Sequence, residues 1–541
     1  MTAKRRNSFY IQGSILAAAS IVSRLIGLAF RIPIARMLGD AGLGAYSNAY
    51  EIYSLALLLS TFSIPMAVSK LVAARETRKE YANSFRVMKV SFVFSCLLGL
   101  IMASLIWIFG DEIATFLIKS PNSAMPLKAL APTIFIFAMI SVFRGFFQGK
   151  NTVIPTSISQ ILEQIVHVVF GIAFASLFLK IFADRDNSFS YGAAGATLGT
   201  LAGAITALIF LAFVYFIYRP KLMSRIERDE DQNSESYAFL LKMLLVTMLP
   251  IVMNQFLYSV TGNIDSVLLN NILALKGVDE DTRLVLYSRY SGKFKLITNV
   301  PLAIASAIGV AIIPNLVHAY TAGDREKLEL KIAQAVKLNM MIAIPCAFGI
   351  MALASPILAI FGDDSQMSVN LMHIGAMSVV FYGYSTTTNS IMQGTDRMRY
   401  PVFHALFGVI IYCIFDFCLL YFTDLGVYTL ALGYMVFPFT VGILNFLRIR
   451  HDLEYRQEAL KTFLLPIMFS LVMAFICYFS FEGMLVICKN TYVSLAVAIM
   501  FGAFTYGTLM ILTHTITRDE ILEFPMGGRI VGIIEKTGYR L

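Results

Sequence analysis

Apolar stretches of 20 or more residues recur from one end of this 541-residue chain to the other, and they constrain the fold more than any other feature. About 20 apolar residues in a helix cross the roughly 30 Å hydrocarbon core of a bilayer. Hydrophobic residues make up 57% of the chain and charged residues only 14%, as is typical of polytopic membrane proteins. The sequence therefore predicts an all-α integral membrane protein with no soluble domain between its spans.

About fourteen transmembrane helices are predicted from these stretches. Their approximate ranges are 13–38, 46–70, 86–109, 126–147, 155–180, 191–218, 238–271, 285–317, 331–361, 367–393, 401–422, 427–447, 462–481 and 491–514. Spans longer than 25 residues are expected to tilt or kink. The first span follows a basic segment but lacks a small-residue cleavage site, so we expect an uncleaved helix.

The basic residues indicate how these spans are oriented. With the N-terminus in the cytoplasm, 30 of the 43 Lys and Arg residues fall on the inner side and 8 on the outer side. This excess on the inner side predicts that both termini are cytoplasmic. The same residues lie in short loops and form no contiguous surface, so the net charge of +9 does not indicate nucleic-acid binding.

Short matches at a fixed distance indicate an internal duplication. Gln148-Gly149 lies 245 residues before Gln393-Gly394, and each pair joins one span to the next through a basic inner loop. Parallel repeats are one architecture of alternating-access transporters. We therefore predict two six-helix lobes and two C-terminal helices. The predicted division is 1–220 for the first lobe, 221–237 for a cytoplasmic linker, 238–450 for the second lobe and 451–541 for the last two helices with a cytoplasmic tail.

Arg24 and Arg31 are charged residues inside the first predicted span. An arginine at the centre of a membrane helix costs roughly 2.5–3.5 kcal/mol on insertion scales, so Arg24 is expected to face something polar. The two are seven residues apart and therefore share a helix face. Their planar guanidinium groups match the oxygens of a diphosphate. An ion pair for Arg24 and snorkelling of Arg31 to the outer interface are the alternatives.

Span 8 contains three further cations, Arg289, Lys293 and Lys295. An α-helix would place Arg289 and Lys293 on one face and Lys295 elsewhere. We predict that they complete an anion-binding cavity; a solvated extension of the helix is the alternative. Arg36, which follows Pro33, is predicted to lie on another face of the first helix near the outer surface.

Four further charged residues are candidates for coupling or gating. Asp265 and Asp416 stand alone in apolar spans, where carboxylates of transporters often bind the coupling ion; pairing with a cavity cation is the alternative. Arg144 and Glu163 lie at similar depth and are predicted to form a buried ion pair or gate in the first lobe. No metal site is predicted, because the six cysteines form no CxxC pair and no histidine has ligand spacing.

Five stretches together resemble the lipid II flippase family, in the Gram-positive, stage-V-sporulation-protein-B-like branch of the multidrug/oligosaccharidyl-lipid/polysaccharide exporter superfamily. They are SRLIGLAFR (23–31), ARMLGDAGLGAY (35–46), FSIPMAVSKLVA (62–73), RGFFQGKNTVIPTSISQILEQIV (144–166) and LYSRYSGKFKLITNVPLAIASAIGVAIIP (286–314). The resemblance covers nearly the whole chain. It implies cavity roles for Arg24 and for Arg31, which lies one residue from the family position. The arginine pair usual in helix 2 of Gram-negative members is replaced by LALLLSTF (55–62).

The resemblance implies a transporter of the bacterial cytoplasmic membrane, not an enzyme, that moves an undecaprenyl-diphosphate-linked peptidoglycan precursor outward by alternating access. It implies no bound cofactor, with Na⁺, protons or the membrane potential as the driving force. Expected partners of the monomer are the glycolipid substrate, membrane lipids and cell-wall synthesis proteins. Two alternatives stay open: a flippase for a teichoic-acid, capsule or spore-cortex precursor, and a MATE-type drug/cation antiporter, whose cavity would need acids rather than cations.

Overall fold

The protein is described here by a computed structural model that covers residues 3–227, 234–518, 528 and 531–532. These described residues form helices and turns and contain no strand. The α-helices are α1 (Ala3–Leu57), α2 (Ile64–Thr77), α3 (Tyr81–Glu112), α4 (Ala124–Gly149), α5 (Ile154–Ile181), α6 (Ser188–Glu227), α7 (Tyr237–Leu275), α8 (Glu280–Tyr287), α9 (Leu296–Thr321), α10 (Arg325–Ala352), α11 (Ala354–Ile360), α12 (Gln366–Gly375), α13 (Ser378–Gly394), α14 (Arg399–Phe422), α15 (Val427–Leu453), α16 (Leu465–Cys488) and α17 (Thr491–Leu512). Four π-helical segments join or extend them: Leu58–Phe62, Ile113–Leu117, Ser288–Lys295 and Leu460–Leu464.

Ten helical stretches in the described part of the chain are long and apolar enough to cross a membrane. The predicted all-α membrane fold is therefore confirmed, whereas the count of fourteen spans and the orientation of the termini stay predictions. Two of the observed helical stretches differ from the predicted spans. The stretch Val22–Thr77 combines the first two predicted spans, and the predicted span 367–393 is divided between α12 and α13.

Gly39 separates the two predicted spans that α1 combines. Its φ of 65° and ψ of −178° are not helical and belong to a region that glycine reaches at no steric cost. The helix is therefore kinked at Gly39, and the chain is helical on both sides of the kink. Beyond Leu57 the chain passes through a π-helical segment into α2. Pro65 lies in the first turn of α2, where its lack of a backbone N–H breaks no helical hydrogen bond.

Helix α6 packs directly against the backbone of α5, because glycines recur at every fourth residue along the contact. A Cβ atom at Gly195, Gly199 or Gly203 would lie 2.4–2.5 Å from backbone atoms of α5. Small residues allow this close approach between membrane helices. The contact fixes one side of α5, the helix that carries most of the polar side chains of the site described below.

The two predicted repeats have matching local geometry at the turns before α5 and α14. Helices α5 and α14 begin 245 residues apart, at the distance that the sequence matches predict. The turn before each helix contains one residue with positive φ, Asn151 at 55° and Asp396 at 58°. The agreement supports the duplication.

By their contacts the residues divide into two compact units, Met1–Gly292 and Lys293–Leu541. The first unit contains α1–α8 and the second contains α9–α17. The predicted lobes, which were drawn from the repeat alone, assign α7 and α8 to the second half and stay a prediction. The acidic run 229–231 of the predicted linker, and most of the predicted tail beyond residue 518, lie outside the described residues.

Candidate functional site

The predicted site arginines Arg24 and Arg31 lie on α1 before the break at Gly39. Arg24 is exposed and Arg31 is half-buried. Within the described part of the chain, neither guanidinium has a carboxylate at ion-pair distance. Arg36, one turn beyond Pro33, is also exposed, as expected for an interfacial residue. Arg24 and Arg31 therefore keep hydrogen-bonding capacity for an external anion.

The two arginines share a strip of α1 with Ser20 and Gly27, which we call the arginine strip. The hydroxyl of Ser20 donates to Oε1 of Gln160 on α5 at 3.5 Å. A Cβ at Gly27 would lie 3.3 Å from Oε1 of Gln164. Since both contacts pair an α1 residue with a glutamine of α5, the arginine strip runs beside a polar face of α5.

Helix α5 has two faces of opposite character. Buried or half-buried polar side chains follow one face: Ser159, Gln160, Glu163, Gln164 and His167. Exposed apolar side chains follow the other: Ile158, Ile165 and Val169. The apolar face suits contact with lipid, whereas polar side chains in a membrane span face the protein interior or a water-filled space. At the end of the polar face farthest from Ser159, the ring of His167 packs on Phe30 at 4.4 Å between ring centres.

Arg31 stacks on tyrosines from the second half of α1. Its Cζ lies 4.4 Å from the ring centre of Tyr46 and 5.4 Å from that of Tyr50. Tyr46 stacks on Tyr50 at 5.8 Å, and Tyr50 contacts Tyr53 at 5.5 Å. A guanidinium held by its face keeps the N–H groups at its edge for in-plane bonds to an anion.

Arg144 and Glu163 form an ion pair between α4 and α5. Nη2 of Arg144 lies 2.8 Å from Oε2 of Glu163, and Nε of Arg144 donates to Oγ of Ser159 at 3.0 Å. The two side chains are 13% and 11% exposed, so the pair is largely shielded from solvent. The structure thus brings together the two residues of the predicted pair, and a role for them as a gate stays a prediction.

The cations of span 8 lie in a π-helical segment and have different partners. Its turns are wider than those of an α-helix, and residues four apart, such as Arg289 and Lys293, remain neighbours on the helix surface. Arg289 lies 3.4 Å from a carboxylate oxygen of Asp40 in the first unit. Lys295 lies 5.8 Å from the ring centre of Tyr434 in the second unit. The shared face of Arg289 and Lys293 and substrate binding by these three residues stay predictions.

Lys293 belongs to a buried ion pair of the second unit. Its Nζ lies 2.7 Å from Oδ2 of Asp363, and both side chains are 3% exposed. The hydroxyl of Ser368 and the amide of Ser365 also donate to this carboxylate, at 2.6 and 2.9 Å. Burial raises the pKa of Asp363, but these hydrogen bonds outweigh burial and lower the pKa from its ordinary value. In this structure the ammonium group of Lys293 is therefore buried against a carboxylate.

The two candidate coupling acids are both fully buried but lie in different units. Asp265, on α7, accepts a hydrogen bond of 2.7 Å from the hydroxyl of Tyr290. Asp416, on α14, packs against Gly433 of α15 so closely that a Cβ there would lie 2.0 Å from the carboxylate. Among the described residues, no group of three or more His, Cys, Asp or Glu side chains could hold a metal ion. Ion coupling stays a prediction.

Sequence reasoning missed two kinds of residue. Lys337 on α10 is only 8% exposed. Its charge inside the predicted span 331–361 was the sequence signal that could have identified it. Gln160 and Gln164 carry no charge, but their spacing of one helical turn within an apolar span was also visible in the sequence.

Two family models match the chain. The model described as polysaccharide biosynthesis protein matches residues 12–319, and the MatE model matches residues 294–418. Stage V sporulation protein B of Bacillus subtilis (strain 168) is 24% identical over 96% of this chain and 99% of its own length. The lipid II flippase MurJ of the same organism is 24% identical over 78% of this chain and 79% of its own length.

Solved structures show the same fold. An inward-facing multidrug resistance MATE transporter of the MOP superfamily has a TM-score of 0.66 at 19% identity, covering 81% of this chain and 98% of its own. The inward closed conformation of the lipid II flippase MurJ has a TM-score of 0.64 at 17% identity, covering 92% of this chain and 98% of its own. The resemblance inferred from the sequence is confirmed at the level of family and fold. The family and its flippase relative support the prediction that the chain is not an enzyme.

Proposed function

Because this chain belongs to the polysaccharide biosynthesis protein family, we propose that it is a flippase for lipid II, the undecaprenyl-diphosphate-linked peptidoglycan precursor, in a bacterial cytoplasmic membrane. The observation that carries the proposal is the arginine strip, in which an exposed and a half-buried arginine lie beside the polar face of α5. Such cations inside apolar spans suit a lipid-linked anion. The lipid II flippase among the relatives supports the choice of head group.

In the proposed mechanism the diphosphate docks on Arg24 and Arg31 from the inner leaflet. Tyr46 and Tyr50 hold the face of Arg31, so its N–H edge is already oriented when the phosphate oxygens arrive. The sugar-peptide head enters the polar space while the polyprenyl tail stays in lipid. The protein then alternates between inward and outward access, which delivers the head to the outer leaflet.

We propose that ion binding at Asp265 or Asp416, or the membrane potential acting on the cationic site, resets the inward state. The position of both carboxylates inside apolar helices supports this, because carboxylates within the spans of transporters often belong to ion pathways. Flipping measured in proteoliposomes with imposed Na⁺, pH and potential gradients tests the coupling. A rate that is insensitive to all three gradients would remove it.

We also propose that the transporter acts as a monomer beside cell-wall synthesis proteins. A single chain supplies the arginine strip and the polar face of α5, so the site needs no second copy. Light scattering of the purified protein in detergent tests this, and a stable dimer would contradict it.

A precursor for the spore cortex is the second candidate substrate. The stage V sporulation protein B relative matches nearly the full length of both chains, which favours this alternative over capsule or teichoic-acid precursors. A MATE-type antiporter for organic cations fits less well, because the arginine strip would repel a cation.

Complementation separates these candidates. We expect the wild-type gene to rescue a strain depleted of its own lipid II flippase, and Arg24→Ala to reduce that rescue because the diphosphate loses a charge-assisted contact. Rescue of sporulation alone, in a strain lacking its stage V protein, would identify the cortex precursor instead.

Arg36→Ala is the matched control, since it removes the same charge from the same helix at an exposed position outside the arginine strip. Its rescue is expected to equal that of the wild type. Undiminished rescue after loss of both Arg24 and Arg31 would overturn the proposed role of the strip.

A further inference from the structure

Gln160 and Gln164 place two neutral amides beside Arg24. Ser20 and Gly27 contact these glutamines, and Arg24 lies between Ser20 and Gly27 on the same strip of α1. On α1, Ser20 contacts Gln160, and Gly27, two turns further along, lies next to Gln164, so Arg24 is placed between the two contacts along the helix. We therefore expect a diphosphate bound by Arg24 to lie near both amides.

The two amides keep unused hydrogen-bonding capacity. Oε1 of Gln160 accepts from Ser20, while its Nε2 donates to no described residue. Nε2 of Gln164 donates to Glu163 at 3.3 Å, while its Oε1 accepts from no described residue. The pair thus offers donors from one residue and an acceptor from the other. Both side chains are half-buried, so a ligand can reach them.

One hydrogen bond restrains each amide. Glu163, which accepts from Gln164, is itself held by Arg144 at 2.8 Å. Gln160 is held from the opposite helix by Ser20. Amides oriented in this way can select a ligand by the pattern of its hydroxyl and acetamido groups, because a mismatched ligand leaves a polar group unpaired at a cost.

We propose that Gln160 and Gln164 form the subsite for the sugar directly attached to the diphosphate. In a polyprenyl-diphosphate glycolipid this sugar follows the second phosphate, and its hydroxyl and N-acetyl groups supply both acceptors and donors. The separation of side chains one helical turn apart, about 5–6 Å, allows both glutamines to contact a single sugar ring. This inference rests on the proposed function and adds the residues that distinguish a glycan-bearing lipid from the bare lipid diphosphate.

Binding to the purified protein in nanodiscs tests the subsite with two probes. One probe is undecaprenyl diphosphate, and the other is the same lipid carrying one N-acetylated sugar. We expect the double variant Gln160→Leu/Gln164→Leu to bind the sugar-bearing probe about tenfold more weakly, as the loss of two neutral hydrogen bonds implies. Its affinity for the bare diphosphate should equal that of the wild type, which also shows that the variant is folded.

Two controls separate this inference from the proposed function. Gln334→Leu removes a half-buried glutamine from α10 in the second unit and should change neither affinity. Arg24→Ala should weaken both probes. An equal loss of both probes in the double variant, or no loss of either, would overturn the subsite while leaving the arginine strip intact. Failure of the wild type to bind either probe would overturn the proposed function and the subsite with it.

Discussion

Arg24 and Arg31 carry the same charge in different surroundings, and the difference assigns each a separate part in binding. Arg24 is exposed and has rotamer freedom, so it can meet the anion early and follow it. Arg31 is held over Tyr46 and Tyr50, so it loses less conformational entropy when it binds. A diphosphate has two phosphates, and one mobile and one fixed cation match that pair.

At the residue scale, the first prediction concerns Glu163. Glu163→Gln leaves the guanidinium of Arg144 without its carboxylate in a site that is only 13% exposed. Breaking one partner of a buried pair costs about 3–5 kcal/mol, so the thermal unfolding temperature of the purified protein should fall. The measurement is thermal unfolding in detergent.

Asp111→Asn is the control for this experiment. It breaks the pair of Asp111 with Lys128, in which the carboxylate is 64% exposed. Solvent-exposed pairs contribute about 0–1 kcal/mol, so the unfolding temperature should hardly change. Equal shifts in the two variants would contradict the buried role of the Arg144–Glu163 pair.

The sequence predicted the ion pair of Arg144 with Glu163 but not the ion pair of Lys293 with Asp363. Arg144 and Glu163 lie at equal depths on consecutive spans, so their contact follows from helix geometry alone. Lys293 pairs with Asp363, 70 residues away, across a connection whose course no local pattern reveals.

At the element scale, the contact between α5 and α6 determines whether the polar face of α5 is held in position. Gly199→Ala would place its Cβ 2.4 Å from Gly171, too close for any real contact. The helices must separate, and overpacking of this kind costs about 1–3 kcal/mol. We expect a lower unfolding temperature and weaker rescue in the complementation assay.

Gly507→Ala is the control for α5–α6 packing, because a Cβ at Gly507 in α17 meets nothing within 4 Å. Its unfolding temperature should equal or exceed that of the wild type, since alanine favours helix more than glycine does. A stable, active Gly199→Ala protein would show that the close contact is not needed.

The start of α7 shows why element boundaries were easier to predict than their grouping. The length of the apolar stretch predicts α7 itself. Contacts with residues distant in sequence, however, attach α7 to the first unit. Glu235, directly before the N-cap of α7, pairs with Arg75 of α2 through oxygen–nitrogen distances of 2.5 and 2.9 Å. Arg75 is 3% exposed, so the pair is a buried anchor rather than a surface contact. The repeat pattern contains no information about this anchor.

At the scale of the whole molecule, the two repeats share backbone geometry, but the charged residues of the site occur in only one of them. Helices α5 and α14 begin at equivalent positions, and the turns before them have similar backbone geometry in both repeats. Arg144 and Glu163, however, correspond to Asn389 and Gly408 in the second repeat. The charged polar face therefore belongs to the first repeat alone, which makes that repeat the one expected to hold the diphosphate.

Flipping of fluorescent lipid II by the purified protein in proteoliposomes tests the arginine strip most directly. The account predicts that Arg24→Ala and Arg31→Ala each slow outward movement about 10- to 100-fold, as loss of a charge-assisted contact implies, and that Arg36→Ala leaves the rate unchanged. Equal rates in the wild type and in the double variant lacking Arg24 and Arg31 would contradict the account.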